Sequence, residues 1–285
     1  MPPLTAPEDE LQAIADGRAA VDLGGFRKVR VRGGDARRWL HDLVTTDVAS
    51  LEPSSSRRTL LLDPTGHIRA DVQVACDREG FWLFQAPDQP DIGRALAPYV
   101  LSSDVRLEDL TDERGLIAWI GDADGPDGFR PSCLGPGVDV IGSPDPASIP
   151  PGRMFVGADA VEVWRIRRGV PRMGVDFDGK TIPAEAGLEE TIDREKGCFL
   201  GQESVARVRT LGHPPRQLRH LTADGPVDPR SPVLDELEDE IGVVTSAAEH
   251  VGGGTVLLAS IRWGSDEGPL RTRDGLALVP VGSSD

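Results

Sequence analysis

Cysteine, long apolar runs and positive charge are all scarce in this chain, and each shortage excludes something. The 285 residues hold three cysteines, Cys76, Cys133 and Cys198, odd in number and far apart. They form no C-x-x-C pair and no Cys/His cluster at metal-ligand spacing, so neither a disulfide framework nor a protein-built zinc or iron–sulfur site is expected. Such usage points to a reducing cytosol. The apolar runs, such as Thr59 to Leu62 and Thr255 to Ala259, fall far short of the roughly 20 residues a membrane helix needs. The opening M-P-P-L-T-A-P-E-D-E is acidic and proline-rich, unlike a secretory signal. Lysine and arginine number 31 against 47 aspartates and glutamates, a formal charge of −16 that opposes non-specific binding to nucleic acid or an anionic membrane. A cytoplasmic protein with neither partner is the expectation, and an anionic ligand would have to find a local basic pocket. Arginines do cluster at Arg165, Arg167, Arg168 and Arg172, and at Arg207, Arg209, Arg216 and Arg219; most of these read as a solvated helix face or loop rim.

What is present is enough chain for one large domain or two to three smaller ones. Residues 1–18 read as a loosely ordered arm with a short helix over Glu8 to Ala15. The alternation F-R-K-V-R-V-R (26–32) predicts a half-buried strand, and Gly33-Gly34 a turn. Asp35 is positioned to cap a helix whose Ala36, Trp39, Leu40, Leu43 and Val44 form one apolar face. Arg58 to Asp63, a turn at Pro64-Thr65-Gly66 and His67 to Ala75 predict a hairpin, with a third strand at Phe81 to Gln85. In its central strand Ile68, Ala70, Val72 and Val74 share one face, so Asp71 projects from the other with Arg69 and Gln73. A helix is expected over Gln89 to Leu101, and strands over Val105 to Leu110 and Gly115 to Ile120. A long Pro/Gly-rich connection over about 121–158 follows, holding a strand at Val138 to Ile141 and an incidental Cys133. Asp159 to Arg168 resumes as helix. Beyond Arg216 short β-like pieces separated by turns predict a small antiparallel barrel, so 19–215 forms an α+β region and 216–285 a C-terminal domain.

The run K-G-C-F-L-G-Q-E, Lys196 to Glu203, is the best candidate for chemistry. Gly197 and Gly201 bracket Cys198, and glycine is used where backbone turns sharply or approaches closely. Val205, Val208 and Leu211 recur at helical spacing, and Gly212, Pro214 and Pro215 stop the pattern, which predicts a helix over Gln202 to Leu211. Cys198 then lies near a helix N-terminus with Lys196 adding positive charge, a setting that favours a thiolate. A lone cysteine is also a common packing residue. Glu203 and Arg207 are spaced to pair on the helix surface.

K-G-C-F-L-G-Q-E followed by A-R-x-x-x-x-G (206–212) closely resembles the signature of the YgfZ-type folate-binding proteins, whose larger relatives are the aminomethyltransferase T-proteins of the glycine cleavage system. W-L-H-D-L-V-T-T-D-V (39–48), L-D-P-T-G-H-I-R-A-D (62–71), R-R-G-V-P (167–171), I-P-A-E-A-G-L (182–188) and I-G-V-V-T-S (241–246) fit the same pattern in order. The resemblance implies an α+β fold: a ring of three subdomains, two mixed α+β and one C-terminal β-barrel, around a channel for tetrahydrofolate. It implies a monomer that serves the assembly or repair of iron–sulfur proteins, alone or with assembly factors, with Lys196 and Cys198 at the functional positions. A pterin's donor-rich edge suits Asp71 or Glu185, its plane suits walls such as Phe199 and Pro183, and the glutamate tail suits Arg207, with Gln202 beside them. The T-protein branch instead moves a one-carbon unit onto tetrahydrofolate with the hairpin aspartate, which Asp71 matches. Those proteins carry two adjacent aspartates where this chain has Ala70-Asp71, and they lack the signature thiol. A folate-dependent aminomethyltransferase is thus the rival expectation, and an adaptor with a vestigial pocket the third.

Overall fold

The computed structural model describes residues 2–121, 126–142, 152–265 and 268–282. It divides into two compact units, one made of Glu8–Gly157 with Glu190–Ser204, the other of Met1–Pro7, Ala158–Glu189 and Val205–Asp285.

The first unit contains α1 (Glu8–Ala15), β1 (Ala19–Asp22), β2 (Arg27–Arg32), α2 (Ala36–Leu43), β3 (Ser56–Leu62), β4 (Ile68–Asp77), β5 (Gly80–Gln85), α3 (Ile92–Leu96), β6 (Arg106–Asp109), β7 (Leu116–Ile120), β8 (Gly137–Ile141) and β9 (Met154–Phe155). Strands β3-β4-β5-β2-β6 form an antiparallel sheet. One face carries Val29, Val31, Ala70, Val72, Val74, Phe81 and Leu83, which pack with Trp39, Leu40 and Leu43 of α2 and with Ile92 and Leu96 of α3. Each such side chain contributes about 2 kcal/mol on burial, which is what holds α2 despite its charged outer side. The spacing of Trp39, Leu40 and Leu43 made that face legible. Asp35 does not cap α2 with its side chain. Its carboxylate accepts the Asp104 N–H instead, at 2.8 Å.

The predicted alternation of β4 breaks at its start. Leu61 pairs with Ala70 but Leu62 pairs with Ile68, so Arg69 is the extra residue of a bulge and Ile68 falls outside the apolar cluster of Ala70, Val72 and Val74. The helix expected over Gln89 to Leu101 shrinks to α3 and a 3₁₀ turn at Ala97–Tyr99. Pro90 and Pro98 explain this, since each lacks a backbone donor and restricts the residue before it.

A second sheet, β8-β7-β1-β9, is antiparallel except for the β1–β9 pair. The expected connection over 121–158 is therefore partly built into the fold. Residues 122–125 and 143–151 lie outside those described, but β8 pairs with β7, and the Phe129 ring meets that of Phe84 on β5 at a tilt, with centroids 5.8 Å apart. The Cys133 N–H donates to Asp139 Oδ2 at 2.7 Å, while Ser132 Oγ donates to Asp139 Oδ1 at 2.5 Å. The 2–18 segment is tied down as well. Ala13 and Ile14 of α1 are buried, and Glu10 accepts the Gly157 N–H at 2.6 Å.

The second unit contains α4 (Ala158–Arg167), the body of α5 (Gln202–Leu211), and β10 (Arg216–Ala223), β11 (Pro232–Leu234), β12 (Glu240–Glu249), β13 (Thr255–Arg262), β14 (Leu270–Thr272) and β15 (Ala277–Pro280). These six strands close into a barrel in the order β10-β13-β12-β11-β14-β15, which leaves no open sheet edge. Leu221, Val233, Val244, Leu257, Ile261 and Leu278 fill it. Leu4 adds a parallel bridge to Ala248. Arg165, expected on a solvated face, is 7% exposed. Its guanidinium bonds Asp176 at 2.7 Å, Ser246 at 2.9 Å and the Val170 carbonyl at 3.1 Å, and also meets Glu162. Burial of an arginine demands such partners, and here they join α4, the 170–176 turn and β12.

Candidate functional site

The hairpin β3–β4 and the signature segment are built onto each other. At the turn, Asp63 Oδ1 accepts the N–H groups of Thr65 and His67 at 2.9 and 3.1 Å, and Gly66 has φ +86. A Cβ on Gly66 would meet Ser204 Cβ at 2.7 Å. A Cβ on Gly201, where φ is +83, would meet the Asp63 carbonyl oxygen at 2.5 Å and Leu62 Cβ at 2.9 Å. Glycine is favoured at both places, since φ is positive at each and a Cβ would strike the Ser204 side chain from Gly66 and the hairpin backbone from Gly201. Gly197 differs, with open space at its Cβ position and no left-handed φ. Leu200 is partly buried and packs against the apolar cluster of the first sheet, which anchors the octapeptide as well.

Two further ties come from the T-T-D run. Thr45 Oγ1 donates to the Thr191 carbonyl at 2.9 Å and accepts the Leu60 N–H at 3.0 Å, and the Thr45 carbonyl accepts the Asp193 N–H at 3.0 Å. Lys196 reaches back to the C-terminal end of α2, where its ammonium donates to the carbonyls of His41, Val44 and Thr46 at 2.5, 2.5 and 3.1 Å. A cation at a helix C-terminus satisfies carbonyls that have no partner within the helix. The ammonium also lies 5.2 Å from the Phe199 ring centroid. Burial pushes Lys196 down to about 8, against the pull of Asp47, Asp42 and Asp193. All three ammonium protons thus have carbonyl acceptors, so Lys196 shapes the turn that carries Cys198 and donates no hydrogen bond to its sulfur. The Cys198 side chain itself is exposed. Phe199 and Gln202 close the turn between them: the Phe199 N–H meets Gln202 Oε1 at 3.3 Å, and the Gln202 N–H meets the Phe199 carbonyl at the same distance.

Asp71 sits on the sheet face opposite the apolar core, 9% exposed. Arg58, on the neighbouring strand, grips it with a fork: Nε to Oδ1 at 2.9 Å and Nη2 to Oδ2 at 2.6 Å. Burial works against the Arg58 charge, but Asp71 and the nearby Glu190 outweigh it and hold the guanidinium above its ordinary value. The Asp71 N–H donates to Gln89 Oε1 at 3.1 Å, and Gln73 lies buried on the same strand. Arg58 and Gln89 escaped the sequence reading. An arginine in R-R-T-L-L-L looks solvated, and only the pairing of Arg58 opposite Gln73, two residues from Asp71 on the same strand, reveals the ion pair.

Glu185 and Arg207 belong to the other unit. Glu185 Oε2 accepts the Ile182 N–H at 3.1 Å and its carbonyl accepts the Leu218 N–H at 2.9 Å, so this carboxylate holds a local turn. Arg207 and Glu203 are both exposed on α5. Of the seven residues singled out in sequence, the structure joins Lys196, Phe199 and Gln202 directly and ties their segment to the hairpin bearing Asp71.

The chain is similar to several known proteins. Residues 4–123 match the GCVT N-terminal domain. The chain is 26% identical to a putative chloroplastic transferase of Arabidopsis thaliana, over 86% of this chain and 65% of that protein, and so spans less than two thirds of that relative's length. It is 26% identical to the mitochondrial iron-sulfur cluster assembly factor IBA57 homolog of Mycosarcoma maydis, over 65% of this chain and 52% of that one. Among solved structures, the glycine cleavage system aminomethyltransferase T from Bartonella henselae aligns with a TM-score of 0.81 at 21% identity, covering 99% of this chain and 90% of that one. That likeness is one of fold.

Proposed function

We propose that the chain belongs to the GcvT-like superfamily, on the branch of the YgfZ- and IBA57-type proteins, and that it binds a reduced folate and supports the assembly or repair of iron–sulfur proteins. Tetrahydrofolate is the proposed ligand, Asp71 its central contact, and Cys198 the working thiol. The observation that carries the reading is the lock between K-G-C-F-L-G-Q-E and the Asp71 hairpin, made by Gly66 and Gly201, with Cys198 left exposed at its rim. The donor set fits a pterin. Asp71 is an acceptor for a planar pair of N–H groups, and Arg58 already satisfies it with a donor pair of that shape. Phe199 and Gln202 are the further proposed contacts within the unit that holds Asp71. Lys196 contributes by holding the thiol's turn. The proposed setting is a cytoplasmic monomer; no described helix is long and apolar enough to cross a membrane.

The rival is an aminomethyltransferase, in keeping with the fold of the Bartonella henselae protein. It asks Asp71 to take part in proton transfer at the folate amine. The Arg58 fork engages both oxygens of Asp71 as hydrogen-bond acceptors, and this favours a binding role.

The test is equilibrium binding of tetrahydrofolate under anaerobic, reducing conditions to the parent and Asp71→Ala, beside complementation of an iron–sulfur enzyme in cells by Cys198→Ser. Saturable binding lost in Asp71→Ala, and failed complementation, are expected. Full rescue by Cys198→Ser removes the thiol role, and absence of binding by the parent leaves only an adaptor acting through protein contacts.

A further inference from the structure

We propose that Gln89 is a ligand-binding residue of the Asp71 site, its carboxamide nitrogen donating to a carbonyl-type oxygen of the bound molecule. The proposal deepens the folate reading and rests on it.

The side chain stands where a strand runs out. β5 ends at Gln85, and the register that sets Gln73 opposite Phe84 carries Asp71 past that end. The Asp71 N–H therefore has no strand to pair with on that side, and a buried donor without an acceptor is costly. Gln89, on the loop that follows β5, supplies the acceptor: its Oε1 takes the Asp71 N–H at 3.1 Å.

The surrounding bonds fix which arm of the carboxamide is oxygen. Gln85 Oε1 accepts Arg27 Nη1 at 2.7 Å and the Ile92 N–H at 3.1 Å, so the other arm of Gln85 is the donor. That nitrogen donates to the Pro90 carbonyl at 3.0 Å and to Gln89 Oε1 at 3.4 Å. A backbone N–H can only donate, so Gln89 faces two donors with one atom, and that atom must be oxygen. The chain of bonds thus has one polarity, and its free end is the Gln89 nitrogen.

Gln89 is 9% exposed, yet its Nε2 has no hydrogen-bond partner among the described residues. Nor is it one of the unpartnered side-chain atoms sealed away from solvent, so the exposure that remains reaches it. Two N–H donors are therefore held beside Asp71 on an anchored side chain, open to an incoming molecule. A neutral donor pair takes an acceptor oxygen and refuses an amine or ring N–H. Reduced folates carry carbonyl-type oxygens on the ring, the benzoyl amide and the glutamate tail. A ligand with no oxygen at this point would cover the donors and leave them unpaired, so Gln89 also selects against it.

The test is calorimetric titration with tetrahydrofolate, under anaerobic reducing conditions at a mildly alkaline pH, of the parent, Gln89→Glu and Gln89→Met, with melting temperatures beside it. Gln89→Glu keeps an oxygen for the Asp71 N–H and puts a second acceptor where the nitrogen stood. It is expected to bind about tenfold more weakly than the parent, through the lost bond and the repulsion between oxygens. Gln89→Met removes anchor and donor together, and is expected both to bind about tenfold more weakly and to melt at a lower temperature. A glutamine that only completed the strand edge would leave Gln89→Glu binding like the parent. If the parent binds and Gln89→Glu binds equally well, the proposal falls and the folate reading stands. Should Gln89→Glu fail to fold, parent-like affinity in Gln89→Met overturns the proposal in its place. If the parent itself does not bind, both fall.

Discussion

The two glycines of K-G-C-F-L-G-Q-E should answer oppositely to alanine, although sequence treats them alike. At Gly201 an added Cβ lies 2.5 Å from the Asp63 carbonyl oxygen and 2.9 Å from Leu62 Cβ, both on the hairpin strand and turn, and φ is +83. Left-handed backbone costs a non-glycine residue about 1 kcal/mol. Forcing a methyl group against unyielding backbone costs about 1–3 kcal/mol more. Gly201→Ala should therefore destabilise by about 2–4 kcal/mol, which for a urea slope of about 2–3 kcal/mol/M moves the midpoint down by about 1 M. At Gly197 nothing lies within 4 Å of the added carbon and no left-handed φ is involved. Gly197→Ala should be neutral or stabilising by about 0.5 kcal/mol, because alanine restricts the unfolded chain. Urea denaturation of the two variants beside the parent, at constant slope, is the assay. An unchanged midpoint for Gly201→Ala, or an equal fall for both, would refute the claim that close approach to the hairpin is what demands glycine.

Two other perturbations probe buried charge. Burial pushes Asp139 up to about 6, against hydrogen bonds from Ser132 and Cys133 that favour its charged form. Its folded value lies above its unfolded one, so its contribution is fully present below pH of about 4 and lost as pH rises through about 6, roughly 3 kcal/mol in all. Relative to Asp139→Asn, the parent should lose about 2 kcal/mol between roughly pH 4.5 and 7.5, read as the difference between two denaturation series. A flat difference would mean the carboxyl titrates normally. Lys196→Met should cost about 2 kcal/mol by leaving three carbonyls without their donor. It should change the alkylation rate of Cys198 by no more than about threefold; a fall of about tenfold would make the ammonium the thiol's activator after all.

Local pattern made much of this molecule legible. The helix Gln202–Leu211 follows from its apolar spacing and its stop at Gly212, and the hairpin from the P-T-G turn between two alternating runs. The barrel strands announce themselves by short β-rich pieces separated by turns. What escaped has no local signature. The strand Ala19–Asp22 has buried neighbours on successive residues and so shows no alternation, and Met154–Phe155 is too short to show any. Arg58 and Arg165 carry the charge of surface residues, and only pairing across strands or turns reveals their partners. The targets of Lys196 lie about 150 residues away in the chain, at the end of a helix whose sequence gives no hint of a distant cation.

The route of the chain has a consequence for biosynthesis. Residues 190–204 leave the barrel-containing unit to complete the other, and Leu4 bonds to Ala247 and Glu249 on a barrel strand. As the polypeptide leaves the ribosome, the sheet of residues 27–109 can collapse early, yet the glycine pocket of its hairpin waits for a segment made some 140 residues later. The barrel strands are made after that sheet, while Leu4, which bonds to one of them, is made before it. Neither unit can be excised as a continuous stretch of coding sequence, so a fragment cut at the start of the barrel strands would lose contacts from both.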